Sequence, residues 1–135
     1  MSYVLDTTLV IDHAEGFPPG VQLLERLFAE TSDLYTCDVV TCEALSRGDA
    51  QAVALKRTLL DALEYVALDP AGARWAGEQR RTRREDGRRV PGTTDALIAA
   101  LAQRLGATVV TRNAQDFAAF DVPVLGYGDS MGSRR

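Results

Sequence analysis

A strand passes directly into a helix in the segment Tyr3-Val4-Leu5-Asp6-Thr7-Thr8-Leu9-Val10-Ile11. Residues 3–5 predict a short buried strand and residues 7–14 a helix, with Asp6 at the junction. The same alternation continues along the chain. Further strands are predicted at 34–37, 65–68, 108–111 and 122–125. Further helices are predicted at 21–29, 38–46, 50–63, 73–85, 95–105 and 114–120.

Alternating helices and short apolar strands are typical of a parallel sheet with helices on both faces. We therefore predict an α/β fold whose central sheet is mostly parallel and has about five short strands. The sequence contains no internal repeat and no linker. A single domain is expected over residues 1–127, followed by a loose carboxyl-terminal tail over 128–135.

The composition is that of a folded globular protein, with 46% hydrophobic and 25% charged residues among 135. Its longest apolar run, 96–102, is far shorter than the roughly 20 residues that span a bilayer. No export signal is evident at the amino terminus. Cys37, Cys42 and the single histidine His13 match no zinc motif and leave little room for disulfides. We expect a cytoplasmic protein with no membrane association.

Carboxylates follow the predicted strands, and ligands of open α/β sheets bind at the carboxyl ends of strands. Asp6 follows the first strand, and Asn113 and Asp116 follow the fourth. Glu43 lies one turn into the helix after the second strand, and Asp95 opens the most apolar helix. Helix capping or the helix dipole alone could explain Asp6, Asp95 or Asp116.

The helical positions of two of these acids favour a shared site instead. At about 100° per residue, Glu43 falls between Val39 and Val40, on a face that should turn inward. Asp95 lies on a helix that is apolar nearly all round, which is typical of a buried helix. Clustered buried carboxylates are costly unless a cation compensates them, and oxygen ligands favour Mg²⁺ or Mn²⁺ over zinc. The sequence therefore predicts a divalent metal site.

A second feature is the arginine-rich segment 74–89 in a chain whose formal net charge is -4. Local positive surface of this kind can hold phosphates. The alternative is a solvated helix face on which Glu and Arg side chains pair at helical spacing. The sequence leaves both interpretations open.

Four segments of the chain together resemble PIN domains, in the order in which that family has them. They are Val4-Leu5-Asp6-Thr7-Thr8-Leu9-Val10-Ile11, Val40-Thr41-Cys42-Glu43-Ala44-Leu45, Thr94-Asp95-Ala96-Leu97-Ile98-Ala99-Ala100 and Val110-Thr111-Arg112-Asn113-Ala114-Gln115-Asp116-Phe117. The length is similar to that of bacterial VapC-like toxins. The resemblance implies a metal-dependent endoribonuclease that is commonly dimeric and is held inactive by a cognate antitoxin.

The resemblance also implies roles for individual residues. The acidic metal-binding and catalytic set would be Asp6, Glu43, Asp95 and Asp116. Thr8 and Asn113 match polar positions beside this set. Two departures from the family pattern stand out. Gly48 comes one residue late, and some relatives carry Asp where Asn113 stands, so the nearer fourth ligand is either Asn113 or Asp116.

The implied reaction is hydrolysis of RNA by a water on one or two Mg²⁺ or Mn²⁺ ions. Attack by the RNA's own 2′-hydroxyl usually needs a histidine pair, and this chain has one histidine. Transfer RNA and a ribosomal RNA loop are both plausible substrates. The candidate contacts to the RNA backbone are Arg80, Arg81, Arg83, Arg84, Arg88, Arg89 and Arg112.

Two other kinds of protein also place carboxylates in such positions. A receiver domain would need a lysine after its last strand, whereas the single lysine, Lys56, lies inside a predicted helix. The stronger alternative is a catalytically inactive PIN-like module that only binds RNA or a protein. Such a module would be expected to lack one of the acidic residues, and all four are present in the four segments.

Overall fold

The computed structural model describes residues 1–128, so the predicted tail lies outside the described residues except for Gly128. Within them, the strands are β1 (Ser2–Leu5), β2 (Asp33–Thr36), β3 (Glu64–Tyr65), β4 (Thr108–Thr111) and β5 (Val124–Gly126). The helices are α1 (Thr7–Ala14), α2 (Pro18–Ala29), α3 (Asp38–Leu45), α4 (Ala50–Asp61), α5 (Pro70–Glu85) and α6 (Thr93–Leu105). A 3₁₀ helix covers Ala114–Phe117.

The five strands form one parallel sheet in the order β3-β2-β1-β4-β5. The first strand is therefore central, with Val4 paired to Tyr35 on one side and to Val109 on the other. Just beyond β1, the amide of Asp6 donates a hydrogen bond to the carbonyl of Val110, with an N···O distance of 2.9 Å. This register brings the carboxyl ends of β1 and β4 together. The predicted α/β fold with a parallel sheet is confirmed.

The core lies between the central strands and the helices. Residues of β1 and β4 such as Leu5 and Val110 are completely buried. The apolar helix α6 packs against β1, β4 and α5, and its Ile98 and Leu101 are buried, as its sequence predicts. Helices α2, α3 and α4 pack around α1. Within residues 1–128, none of the helices is long and apolar enough to cross a membrane.

Two helices begin earlier than the sequence pattern predicts, and proline explains both. Pro18 stands in the first turn of α2, and Pro70 in the first turn of α5. The missing proline amide would have no partner there in any case, so the residue is compatible with a helix start. Asp69 caps α5 by accepting a hydrogen bond from the Gly72 amide at 2.7 Å. The predicted strand 65–68 is observed as Glu64–Tyr65 only, four residues before Asp69.

The helices α1, α3 and α4 begin at the predicted residues, whereas the start of α6 and the last two elements differ. Cys37, and not Asp38, is the residue preceding α3, and the Asp38 side chain instead accepts from the Leu68 amide at 3.4 Å. Gly92 precedes α6, so the helix begins two residues before its predicted start at 95 and includes Thr94. The helix predicted over 114–120 is only the short 3₁₀ turn, and the last strand begins at Val124. The Thr94 correction matters because its hydroxyl is then available for the site.

Candidate active site

Asp6 precedes α1, yet its side chain makes no capping hydrogen bond. It is only 4% exposed, and its Oδ2 accepts hydrogen bonds from Thr111 Oγ1 at 2.7 Å and Thr8 Oγ1 at 3.0 Å. Burial raises the pKa of the Asp6 carboxyl, and the two hydroxyl hydrogen bonds act against that rise. Helix capping therefore does not explain this carboxylate, which is instead held in a fixed orientation.

One of the two hydroxyls at Asp6 belongs to Thr111, a residue that no sequence pattern marked as part of the site. Thr111 ends β4, is fully buried, and its oxygen also accepts from the Asn113 amide at 3.0 Å. Its position at the end of a predicted strand was visible in the sequence. The pairing of that strand with β1, which brings it to Asp6, was not.

Glu43 is exposed, so the prediction that it turns into the interior is wrong. Because α3 lies at the rim of the site, its buried face is carried by Val40 and Ala44, while Glu43 points across the opening. The carboxylate is nevertheless held at both oxygens. Thr7 Oγ1 donates to Oε1 at 2.7 Å, and Thr94 Oγ1 donates to Oε2 at 3.1 Å. Glu43 thus links α3 to α1 and α6.

Asp95 lies in the first turn of α6 and is half-buried. Burial, together with the negative charges of Asp6, Asp116 and Glu43, raises its pKa to about 6 against the opposing charge of Arg89. This carboxyl therefore experiences all three of the other predicted acids, although they come from distant parts of the sequence.

One open cavity of about 220 Å³ contains three of the four predicted acids. Its lining includes Asp6, Glu43 and Asp95, together with Thr8 and Asn113. Of the two residues that the sequence offers for the fourth position, Asn113 lines this cavity.

Asp116 lines a neighbouring cavity of about 240 Å³ instead. Its Oδ1 lies 3.3 Å from Arg89 Nη2. The fourth acid is therefore close enough to Asp95 to affect its pKa but is paired with an arginine.

Among residues 1–128, no group of three His, Cys, Asp or Glu side chains is arranged to hold a metal ion by itself. The donor chemistry still suits a hard divalent cation, because the cavity offers carboxylate, hydroxyl and amide oxygens. Mg²⁺ keeps several of its own waters and is usually bound through one or two carboxylates. A complete cage of protein ligands is therefore not required for the cavity to fit such an ion.

Comparison with known proteins agrees with this geometry. The sequence profile of the PIN domain matches residues 3–123. The chain belongs to the PIN-domain family. Ribonuclease VapC19 of Mycobacterium tuberculosis is 27% identical to it over 117 residues, which cover 87% of this chain and 93% of that relative.

Solved structures of toxin–antitoxin proteins share the fold of this PIN domain. VapBC2 from Rickettsia felis, bound to a DNA fragment from its promoter, matches with a TM-score of 0.79 and 23% identity, covering 95% of this chain and 100% of that one. DNA-bound VapBC from Salmonella typhimurium matches with a TM-score of 0.77 and 23% identity, covering 93% and 98%. The predicted family and fold are thereby confirmed.

The predicted RNA-contacting arginines of the PIN domain differ in their surroundings. Arg80 Nε donates to the Pro91 carbonyl at 2.9 Å. Arg83 donates to the Ala119 carbonyl, and its guanidinium carbon lies 5.7 Å from the centre of the Phe120 ring. Both side chains therefore hold the end of α5 against the segments that follow it.

The other arginines of this segment are more accessible. Arg81, Arg84, Arg88 and Arg89 are all exposed. Arg88 pairs with Asp86 at 2.9 Å, just as Arg89 pairs with Asp116. Only these four of the six candidates on this segment present guanidinium groups mainly to solvent.

Arg112 is held by the PIN domain's own side chains. Its Nη1 lies 3.3 Å from Asp12 Oδ1, and its guanidinium carbon lies 4.0 Å from the centre of the Phe17 ring. The other oxygen of the buried Asp12 accepts from the Tyr127 hydroxyl at 2.7 Å. Burial and the adjacent Asp12 raise the pKa of Tyr127, which keeps that hydroxyl a donor. This cluster fixes the chain just before Asn113. No sequence pattern indicated Asp12 or Tyr127, because their contact joins segments far apart in the chain.

Proposed function

We propose that this PIN domain is a metal-dependent endoribonuclease that hydrolyses phosphodiester bonds in structured RNA, and that it is the toxin of a toxin–antitoxin pair. The observation that carries the proposal is the single cavity lined by Asp6, Glu43 and Asp95, three acids from separate segments of the chain. The raised pKa of Asp95 supports it, because the site concentrates negative charge that a cation would offset. The similarity to a mycobacterial ribonuclease points to the same chemistry.

In this proposal Asp6, Glu43 and Asp95 hold Mg²⁺ or Mn²⁺, and Asp116 contributes from the adjacent cavity. A bound ion of this kind lowers the pKa of a water and offsets charge on phosphate oxygens. The protein's own contribution is to orient the carboxylates beforehand. Two hydroxyls that donate to Oδ2 of Asp6, and one hydroxyl at each carboxylate oxygen of Glu43, supply that orientation.

The proposal includes a cognate antitoxin and a homodimer. The antitoxin is supported by the fold shared with VapBC structures. The homodimer is carried over from the resemblance to VapC-like toxins. A toxin role predicts that expression of the chain arrests bacterial growth and that co-expression of the antitoxin relieves the arrest. Harmless expression of an active enzyme would instead favour a role in RNA processing.

The direct test uses protein freed of any inhibitor and end-labelled transfer RNA and ribosomal RNA loops. Wild type is expected to cleave in Mg²⁺ or Mn²⁺ and to lose activity in EDTA, and Asp6→Ala is expected to be inactive. Asp121→Ala removes an exposed acid outside both cavities and serves as the matched control. Undiminished cleavage by Asp6→Ala would refute the assignment. RNA binding without cleavage by wild type would support the inactive PIN-like module.

A further inference from the structure

The second cavity, next to the acidic one, is built mainly from arginines. Its lining comprises Arg83 from α5, Arg88 and Arg89 from the following loop, and Asp116 from the 3₁₀ helix, together with neutral residues. Arg88 is paired with Asp86 and Arg89 with Asp116, so Arg83 leaves the recess with a net positive charge on a chain whose net charge is -4. Guanidinium groups bind phosphate well because their planar donors match its oxygens.

The arginines of this recess differ in how firmly the protein holds their side chains. Arg83 is anchored by the Ala119 carbonyl and the Phe120 ring, so it forms a fixed wall. The side chain of Arg89 is 76% exposed and that of its partner Asp116 is 26% exposed. Arg89 is therefore paired with a carboxylate of the protein itself, and an ion pair exposed to this degree is weak in water.

The recess adjoins the proposed active site. The two cavities meet at the 3₁₀ helix, because Asn113 lines the acidic cavity, Asp116 lines the recess, and the Asp116 amide donates to the Asn113 carbonyl at 2.9 Å. A nucleic acid strand lying across the acidic cavity would therefore bring a neighbouring phosphate to these arginines.

We propose that this recess binds a phosphodiester group of the RNA that flanks the cleaved bond, and that Asp116 occupies Arg89 until the RNA displaces it. The inference rests on the proposed ribonuclease function and deepens it. It assigns Arg89 to contact with RNA, Arg83 to a structural wall, and Asp116 to competition with the substrate in the free protein.

The first test measures RNA binding by the fluorescence anisotropy of a short labelled RNA, in EDTA so that the RNA is not cleaved. Each phosphate contact contributes about 0.7 to the slope of log K against log salt for single strands, so losing one contact costs about fivefold in affinity at 0.1 M salt relative to 1 M. We expect Arg89→Ala to weaken binding by that factor and to reduce the salt slope accordingly. Arg57→Ala, an exposed arginine on α4, is the matched control and should bind as wild type does.

The second test distinguishes competition from a general charge effect. Asp116→Asn should tighten RNA binding by about twofold to fivefold, which is the range of an exposed ion pair. Asp121→Asn removes the same charge outside the recess and should have a smaller effect. In the Arg89→Ala background, Asp116→Asn should no longer tighten binding, since no competition is left to relieve.

Two results would overturn the inference. One is an Asp116→Asn effect of equal size with and without Arg89, or equal to that of Asp121→Asn. The other is unchanged affinity and salt slope in Arg89→Ala. If wild type cleaves RNA while these results are obtained, the phosphate site alone is refuted. If wild type neither binds nor cleaves RNA, the proposed function fails together with it.

Discussion

Replacing Asp95 by Asn should stabilise the metal-free protein. Burial and neighbouring carboxylates raise the Asp95 pKa from 3.8 to about 6. At about 1.4 kcal/mol per unit this corresponds to about 3 kcal/mol. Because the group is only half-buried, solvent screening reduces the expected effect to about 1–1.5 kcal/mol.

The pH dependence gives this prediction its sign. In the unfolded chain Asp95 ionises above about pH 4, but in the folded protein it ionises only above about pH 6. The penalty of the folded state is therefore absent below the unfolded pKa, grows as pH rises, and is complete above pH 6. Asp95→Asn removes it, so the gain should be full at about pH 7.5, about half at pH 5 and about a fifth at pH 4.

Urea unfolding in EDTA, followed by circular dichroism, measures this difference. Asp121→Asn, which removes an exposed acid elsewhere, should show no such pH-dependent gain. Addition of Mg²⁺ or Mn²⁺ should stabilise wild type more than Asp95→Asn, because an ion that binds only the folded state adds stability. A gain that is equal at pH 7.5 and pH 4 would refute the reasoning, since the substitution would then act through something other than charge.

Three further substitutions test the surroundings of the site. Thr111→Val keeps the side-chain shape but removes a hydrogen bond to the buried Asp6 carboxylate. We expect the free energy of unfolding in urea to fall by about 1–2 kcal/mol, and Mn²⁺ binding to require a higher pH. Unchanged stability would contradict this. Tyr127→Phe leaves the buried Asp12 with one donor fewer and should cost about 1–2 kcal/mol by the same measurement, whereas no loss would mean that the cluster is not needed to hold this segment. Gly48 has a φ of +111°, and a Cβ there would lie 3.1 Å from a side chain of α4. Gly48→Ala should therefore lower the free energy of unfolding by about 1–3 kcal/mol. A neutral effect would show that the added Cβ causes no strain.

Local patterns predicted the fold class because each strand and helix has a clear period. The strand over 3–5 and the apolar helix α6 were identified in this way, and both lie where expected. Boundaries were less predictable where a proline begins a helix. At Pro70, the cap from Asp69 decides the start of α5, and that hydrogen bond is a feature of the folded backbone and not of the pattern.

The candidate site was predictable only in part. The four acids could be selected because each follows a predicted strand or opens an apolar helix, and three of them line one cavity. The hydroxyl of Thr111 could not be assigned to Asp6, because local periodicity does not reveal that β4 pairs with β1. Likewise, the sequence showed a cluster of arginines but not that Arg83 packs on Phe120 while Arg89 pairs with Asp116.

Titration of the EDTA-treated protein with Mn²⁺, followed by electron paramagnetic resonance of the free ion, tests the central claim most directly. If Asp6 and Asp95 form one cation site, wild type binds Mn²⁺, Asp6→Asn and Asp95→Asn each weaken that binding at least tenfold, and Asp121→Asn binds as wild type does. Binding by both site variants with the affinity of wild type would show that these carboxylates do not share an ion.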